Sequence, residues 1–138
     1  MERKMVALGA ILVMLGMLTG FVSGALANPR MGLVAHLEGL MNGTLLIGLG
    51  AAWRHVRLGA AAERWTWGLL LFGTTSNWFA TLLAAIWGVG GLTMPLMAAG
   101  HTGAQWQEML VGGLLFALSF AMVGAFALII RGVLAKRD

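Results

Sequence analysis

Arg54-His55-Val56-Arg57-Leu58-Gly59-Ala60-Ala61-Ala62-Glu63-Arg64 is the one interior stretch of the chain where charge is dense, with three arginines, a histidine and a glutamate. On either side lie apolar runs too long for a water-soluble core. Upstream are residues 5–27 and 32–53, parted by Asn28-Pro29-Arg30. Downstream are residues 65–90 and 106–130, parted by a segment that contains Gly90, Gly91, Pro95, Gly100 and Gly103. A helix needs about 20 apolar residues to cross the hydrocarbon of a bilayer. Each run meets that length, and the Asn-Pro and Gly/Pro-rich separators are turn signals. The fold class is therefore all-α: a polytopic membrane protein, built as a bundle of four transmembrane helices in a single domain over residues 1–138.

Composition supports the same class. Of 138 residues, 59% are hydrophobic and only 10% charged, whereas an average soluble domain carries about 25% charged residues. Too few polar side chains remain to cover a globule. A net charge of +4 would suggest nucleic acid in a soluble protein. Here the cations stand at the ends of spans, where positive-inside bias accounts for them, so nucleic acid is not an expected partner. Arg3 and Lys4 precede the first span, Arg54, Arg57 and Arg64 follow the second, and Arg131, Lys136 and Arg137 close the chain. Four spans put these eight of the nine Lys/Arg on one side and leave Arg30 alone on the other. The expected setting is a bacterial inner membrane with both termini cytoplasmic; an odd number of spans would separate the two basic ends. The opening Met1-Glu2-Arg3-Lys4, with Ala25-Leu26-Ala27 after the apolar run, has the form of a cleavable leader. The run exceeds the roughly 7–15-residue core of such leaders, and its removal would spoil the charge pattern, so it is expected to stay as the first helix.

With no cysteine in the sequence, disulfides, thiolate metal sites, Fe–S clusters and Cys-linked haem are excluded. His36, His55 and His101 are the remaining imidazoles. Placing an ionisable group mid-membrane costs about 2.5–3.5 kcal/mol on insertion scales, which makes the second span conspicuous: it carries His36, Glu38 and Asn42. At about 100° per residue Glu38 and Asn42 share a face, while His36 and Asn42 stand about 120° apart. They therefore line opposite margins of a wide cofactor, or serve two sites at a subunit interface. In the third span Thr74, Asn77 and Thr81 follow i, i+3, i+7 spacing, and Asn77 falls near the depth of Asn42. A pocket shared by the second and third helices is expected, with Trp78 and Trp87 as candidate aromatic walls.

Each feature has a plainer reading. His36 near the interface serves equally as a histidine bonded to a carbonyl, Glu38 as a partner of Arg30, and the asparagines as interhelical hydrogen bonds. The Thr/Ser group can bond back to its own helix. Trp53, Trp65, Trp67 and Trp106 read as an interfacial belt, His55 as solvated, and His101 as a cover for the pocket mouth. Gln105 and Glu108 open the last helix, where an acid suits the positive helix end. Gly16, Gly20 and Gly24, with Gly39 and Gly43, put smooth stripes on the first two helices, for a neighbour in the same chain or in another. No P-loop, G-x-S-x-G or H-E-x-x-H motif is present.

The stretch Asn28-Pro29-Arg30-Met31-Gly32-Leu33-Val34-Ala35-His36-Leu37-Glu38-Gly39-Leu40-Met41-Asn42-Gly43 resembles the small membrane enzymes called hydroxylaminobenzene mutases. Gly73-Thr74-Thr75-Ser76-Asn77-Trp78-Phe79-Ala80-Thr81-Leu82-Leu83-Ala84-Ala85 resembles their second signature. More distantly, Ala35-His36 followed by Asn42-Gly43 is similar to styrene oxide isomerase. The resemblance implies an isomerase that turns an arylhydroxylamine into a 2-aminophenol by moving a hydroxyl within the molecule, as a homotrimer. It implies a b-type haem with His36 as the iron ligand, and Arg30 joins His36 as a second cofactor-binding residue. Asn42 would orient or polarise the reacting oxygen and Glu38 would give or take the proton, with Asn77 completing the catalytic set. The implied partners are a small aromatic substrate and the lipid bilayer. The isomerase also uses a tyrosine; this chain has none, which favours the mutase over an aryl epoxide isomerase. A haem-anchoring subunit usually needs two axial ligands, and small multidrug transporters place a carboxylate in the first helix, where this chain has no acid.

Overall fold

The computed structural model describes residues 1–135; Lys136 and Arg137, used above to orient the chain, lie outside the described residues. Four long helices alternate in direction: α1 (Glu2–Val22), α2 (Pro29–Ala52), α3 (Ala60–Trp87) and α5 (Gln105–Leu134), with a one-turn helix α4 (Pro95–Ala98) before the last. All four long helices are long and apolar enough to cross a membrane. Each begins before the apolar window read from the sequence, because the polar flank at its start is already helical, whereas α1, α2 and α3 end short of theirs and only α5 runs beyond it.

The helix ends follow their local chemistry. Asn28 caps α2: its side-chain oxygen accepts from the N–H of Arg30 and Met31 at 3.0 and 3.2 Å, and Pro29 stands at the first helical position, where its missing N–H is no loss. Gly88 closes α3 in the left-handed conformation, φ 66°, which only glycine adopts freely.

The α1–α2 pair is joined by glycine, so the stripes seen in the sequence find their partner within the chain. A Cβ added at Gly39 would stand 2.5 Å from the Gly16 Cα, and one at Gly9 would stand 2.6 Å from the Gly43 carbonyl oxygen. Backbone meets backbone there, and no flexible side chain can give way. Gly39→Ala should therefore lower the unfolding temperature in detergent, by an overpacking cost of about 1–3 kcal/mol. Gly24→Ala, with nothing within 4 Å of its added carbon, should leave it unchanged. Equal melting of the two variants would remove the glycine seam from the account.

α2 packs next on α3, and α3 on α5. One apolar cluster joins Met5, Leu12, Leu46, Leu70 and Ile129 toward the arginine-rich end; a second joins Met31, Ala84, Ala85, Val89 and Val111 toward the other. The polar residues of α2 and α3 lie between these two clusters. The 54–64 connection is tied to α5 by the Arg57 N–H donating to the Gly132 carbonyl at 2.9 Å. Trp53, expected in the interfacial belt, is instead buried and donates its indole N–H to Glu63 at 3.3 Å. The chain turns tightly after Ala52, which folds this ring into the core.

Candidate functional site

Glu38, on α2, is half-buried between α2 and α3. The Asn42 amide, one turn on, donates to its Oε2 at 3.0 Å, and the Asn77 amide of α3 donates to the same oxygen at 2.6 Å. Spacing of i, i+4 on α2 and matched depth on α3 thus bring all three together, as the sequence predicted. The other oxygen, Oε1, has no hydrogen-bond partner among the described residues, and no buried polar side-chain atom is left unpaired. Oε1 therefore opens onto free space. The same Asn42 amide nitrogen also donates to the Glu38 main-chain carbonyl at 2.9 Å. The Asn42 side-chain carbonyl oxygen has no partner among the described residues, so it can accept from a substrate N–H or O–H. The pairing of Glu38 with Arg30 is not formed; Arg30 is exposed at the start of α2, about two turns before Glu38.

His36 faces α1 instead. Its Nδ1 lies 2.8 Å from the Gly16 carbonyl oxygen. The ring rests on Gly20, where an added Cβ would come within 2.6 Å of Nδ1 and 2.9 Å of Cε1. A carbonyl accepts only, so Nδ1 is the donor of this bond, and in the neutral ring Nε2 is the nitrogen with the lone pair. A metal-ligating histidine usually shows this arrangement: one nitrogen fixed by a backbone acceptor, the other free. Among the described residues no three His, Cys, Asp or Glu side chains gather into a metal cage. A metal at His36 must bring most of its own ligands, as a haem does, and the donor set fits that group. His36 and Glu38 stand about 100° to either side of Leu37, and Leu33, Leu37 and Met41 are exposed. The two polar groups thus open at opposite margins of an uncovered α2 face.

The remaining candidates have other partners. Thr74 and Thr81 bond back to the carbonyls of Leu70 and Asn77 at 2.7 and 2.9 Å, which leaves Asn77 as the working member of that stripe. Trp78 donates to Thr19 of α1 at 3.2 Å, and Trp87 makes an edge contact with Trp106 at 5.2 Å, so neither ring is committed to the Glu38 cluster. His101 is exposed and bonds to the Ala98 carbonyl at 2.9 Å. Two residues gained roles that the sequence did not signal. Buried Glu108 accepts the N–H of Gly90 at 3.1 and 3.0 Å, that of Gly91 at 3.4 Å and that of Leu92 at 3.5 Å. Buried Asn28 donates its amide to the Met97 and Ala98 carbonyls at 3.0 and 3.1 Å. Together they fasten the connection between α3 and α5 at its start and at α4.

Similarity to known proteins shows the family. The model of the styrene oxide isomerase family matches residues 1–134. Hydroxylaminobenzene mutase HabB of Ectopseudomonas oleovorans is 45% identical over 133 residues, 96% of this chain and 81% of the relative. Hydroxylaminobenzene mutase HabA of the same organism is 39% identical over 134 residues, 97% of this chain and 99% of the relative. No solved structure matches. The chain belongs to the styrene oxide isomerase family, and it is an isomerase with four helices fit to span a membrane.

Proposed function

We propose that this isomerase converts an arylhydroxylamine to a 2-aminophenol inside the membrane. The observation that carries the reading is the Glu38 carboxyl, held at one oxygen by two asparagine amides and free at the other, in a chain whose relatives are named for that mutase reaction. The N–O bond breaks, a C–O bond forms at the adjacent ring carbon, that carbon loses its proton and nitrogen gains one. No electrons are exchanged overall, so no reductase is required.

Glu38 Oε1 takes the ring proton and returns it to nitrogen. Asn42 and Asn77 hold Oε2, so the carboxyl cannot rotate away during the transfer. The free carbonyl oxygen of Asn42 orients the substrate by accepting from its N–H or O–H. His36 Nε2 would hold the iron of a b-type haem, and Arg30 would pair with the acidic groups of that cofactor. Bound there, haem supplies Lewis acidity toward a substrate heteroatom. The uncovered α2 face turns toward neighbouring copies in a homotrimer. The arginine-rich end faces the cytoplasm of a bacterial inner membrane, with both termini there.

The family description favours a second reading, an aryl epoxide isomerase. Purified protein given hydroxylaminobenzene or an aryl epoxide, without added reductant, separates the two by product chromatography. The expected result is 2-aminophenol from the first and far slower turnover of the second. Rapid epoxide rearrangement with no aminophenol would reverse the assignment.

A further inference from the structure

We propose that the arginine-rich end of the bundle binds an anionic phospholipid, its phosphate between Arg3 and Arg54 and one acyl chain in the cleft between α1 and α2. A cleft of about 540 Å³ opens there. Its walls come from α1, from the end of α2 and from the turn that follows it. On α1, Arg3 stands on the same face as Ala7 and Ala10, at i, i+4 and i+7; Arg54, two residues past the end of α2, borders the same cleft as Gly50 and Ala51. Each side of the cleft therefore carries a guanidinium beside small apolar residues, and both guanidiniums border the same mouth.

Cations scattered around a helix end would satisfy topology alone. Two that converge over a shared apolar floor match a molecule with a phosphate head and a hydrocarbon tail. Guanidinium suits phosphate because its planar fork bonds two oxygens at once, and basic pockets between spans recognise lipid headgroups in this way. Arg54 Nε donates to His55 Nε2 at 3.1 Å, which fixes the direction of the guanidinium and leaves its outer nitrogens for a ligand. Arg54 also borders a second cleft of about 460 Å³, with His55 and Arg57, so positive charge continues past the first mouth. Glu2, the carboxylate at the first cleft, is outnumbered by the two arginines.

The test uses the full chain, delipidated in detergent. Its unfolding temperature and its retained lipid in native mass spectra are followed against phosphatidylglycerol, phosphatidylcholine and inorganic phosphate. Phosphatidylglycerol should stabilise and be retained, and the other two should not. The double substitution Arg3→Gln, Arg54→Gln should cut retention at least about tenfold, whereas Arg64→Gln, at the same end but outside the cleft, should not. Ala10→Leu fills the floor without changing charge and should also weaken retention. Equal retention of phosphatidylcholine, equal stabilisation by free phosphate, or equal loss in Arg64→Gln would each overturn the proposal.

Discussion

Glu38→Gln should lower turnover of hydroxylaminobenzene by about 10²–10⁴-fold, the range a positioned acid–base group contributes, while the helices stay folded. Glutamine keeps the length of the side chain and an oxygen that can still accept from Asn42 and Asn77, so the contact between α2 and α3 survives. It loses the ability to carry a proton at Oε1. Circular dichroism and unfolding temperature should stay near wild type while aminophenol formation collapses. Asn77→Leu removes one of the two donors, a hydrogen bond to a charged group worth about 1.5–3 kcal/mol, and should cost roughly ten- to a hundredfold. Glu63→Gln, at the arginine-rich end beside Trp53, is the control and should leave turnover within about twofold. A Glu38→Gln enzyme within a few-fold of wild type would withdraw the carboxyl from the chemistry.

His36→Ala should abolish both the haem absorption band and activity in detergent-purified protein. The imidazole is the side chain whose Nδ1 is fixed by a main-chain carbonyl and whose Nε2 is free within the spans. Gly20→Ala tests the same point without touching the ligand. The added carbon would stand 2.6 Å from His36 Nδ1, so the ring must shift or α1 must move away. Haem content should fall about tenfold, or the band should shift, with helical content retained. Gly24→Ala has nothing to strike and should bind as wild type does. A colourless wild type that is fully active would reject the haem reading and leave the Glu38 prediction standing.

The four spans were legible because a bilayer demands long apolar runs and a one-sided placement of arginine. Two thirds of the carboxyl cluster could be read along α2 from the i, i+4 spacing of Glu38 and Asn42, and Asn77 followed from depth. The rest depends on which helix faces which, and no spacing states that. The His36 ring is seated by Gly16 and Gly20, some twenty residues earlier, through a contact that needs the glycine seam of α1 and α2. Glu108 read as an acid at a helix start, yet its carboxylate gathers the amides of Gly90, Gly91 and Leu92 across a loop. Trp53 looked like a belt residue until the turn after Ala52 carried it inward.

The seam also sets an order of assembly. A chain leaves the ribosome amino end first, and α1 and α2 already contain both surfaces of their shared contact. The imidazole is seated when that hairpin closes in the membrane, whereas the carboxyl waits for the amide of Asn77 on the next helix to be synthesised. The two polar groups thus take their places in sequence, the imidazole of His36 before the carboxyl of Glu38.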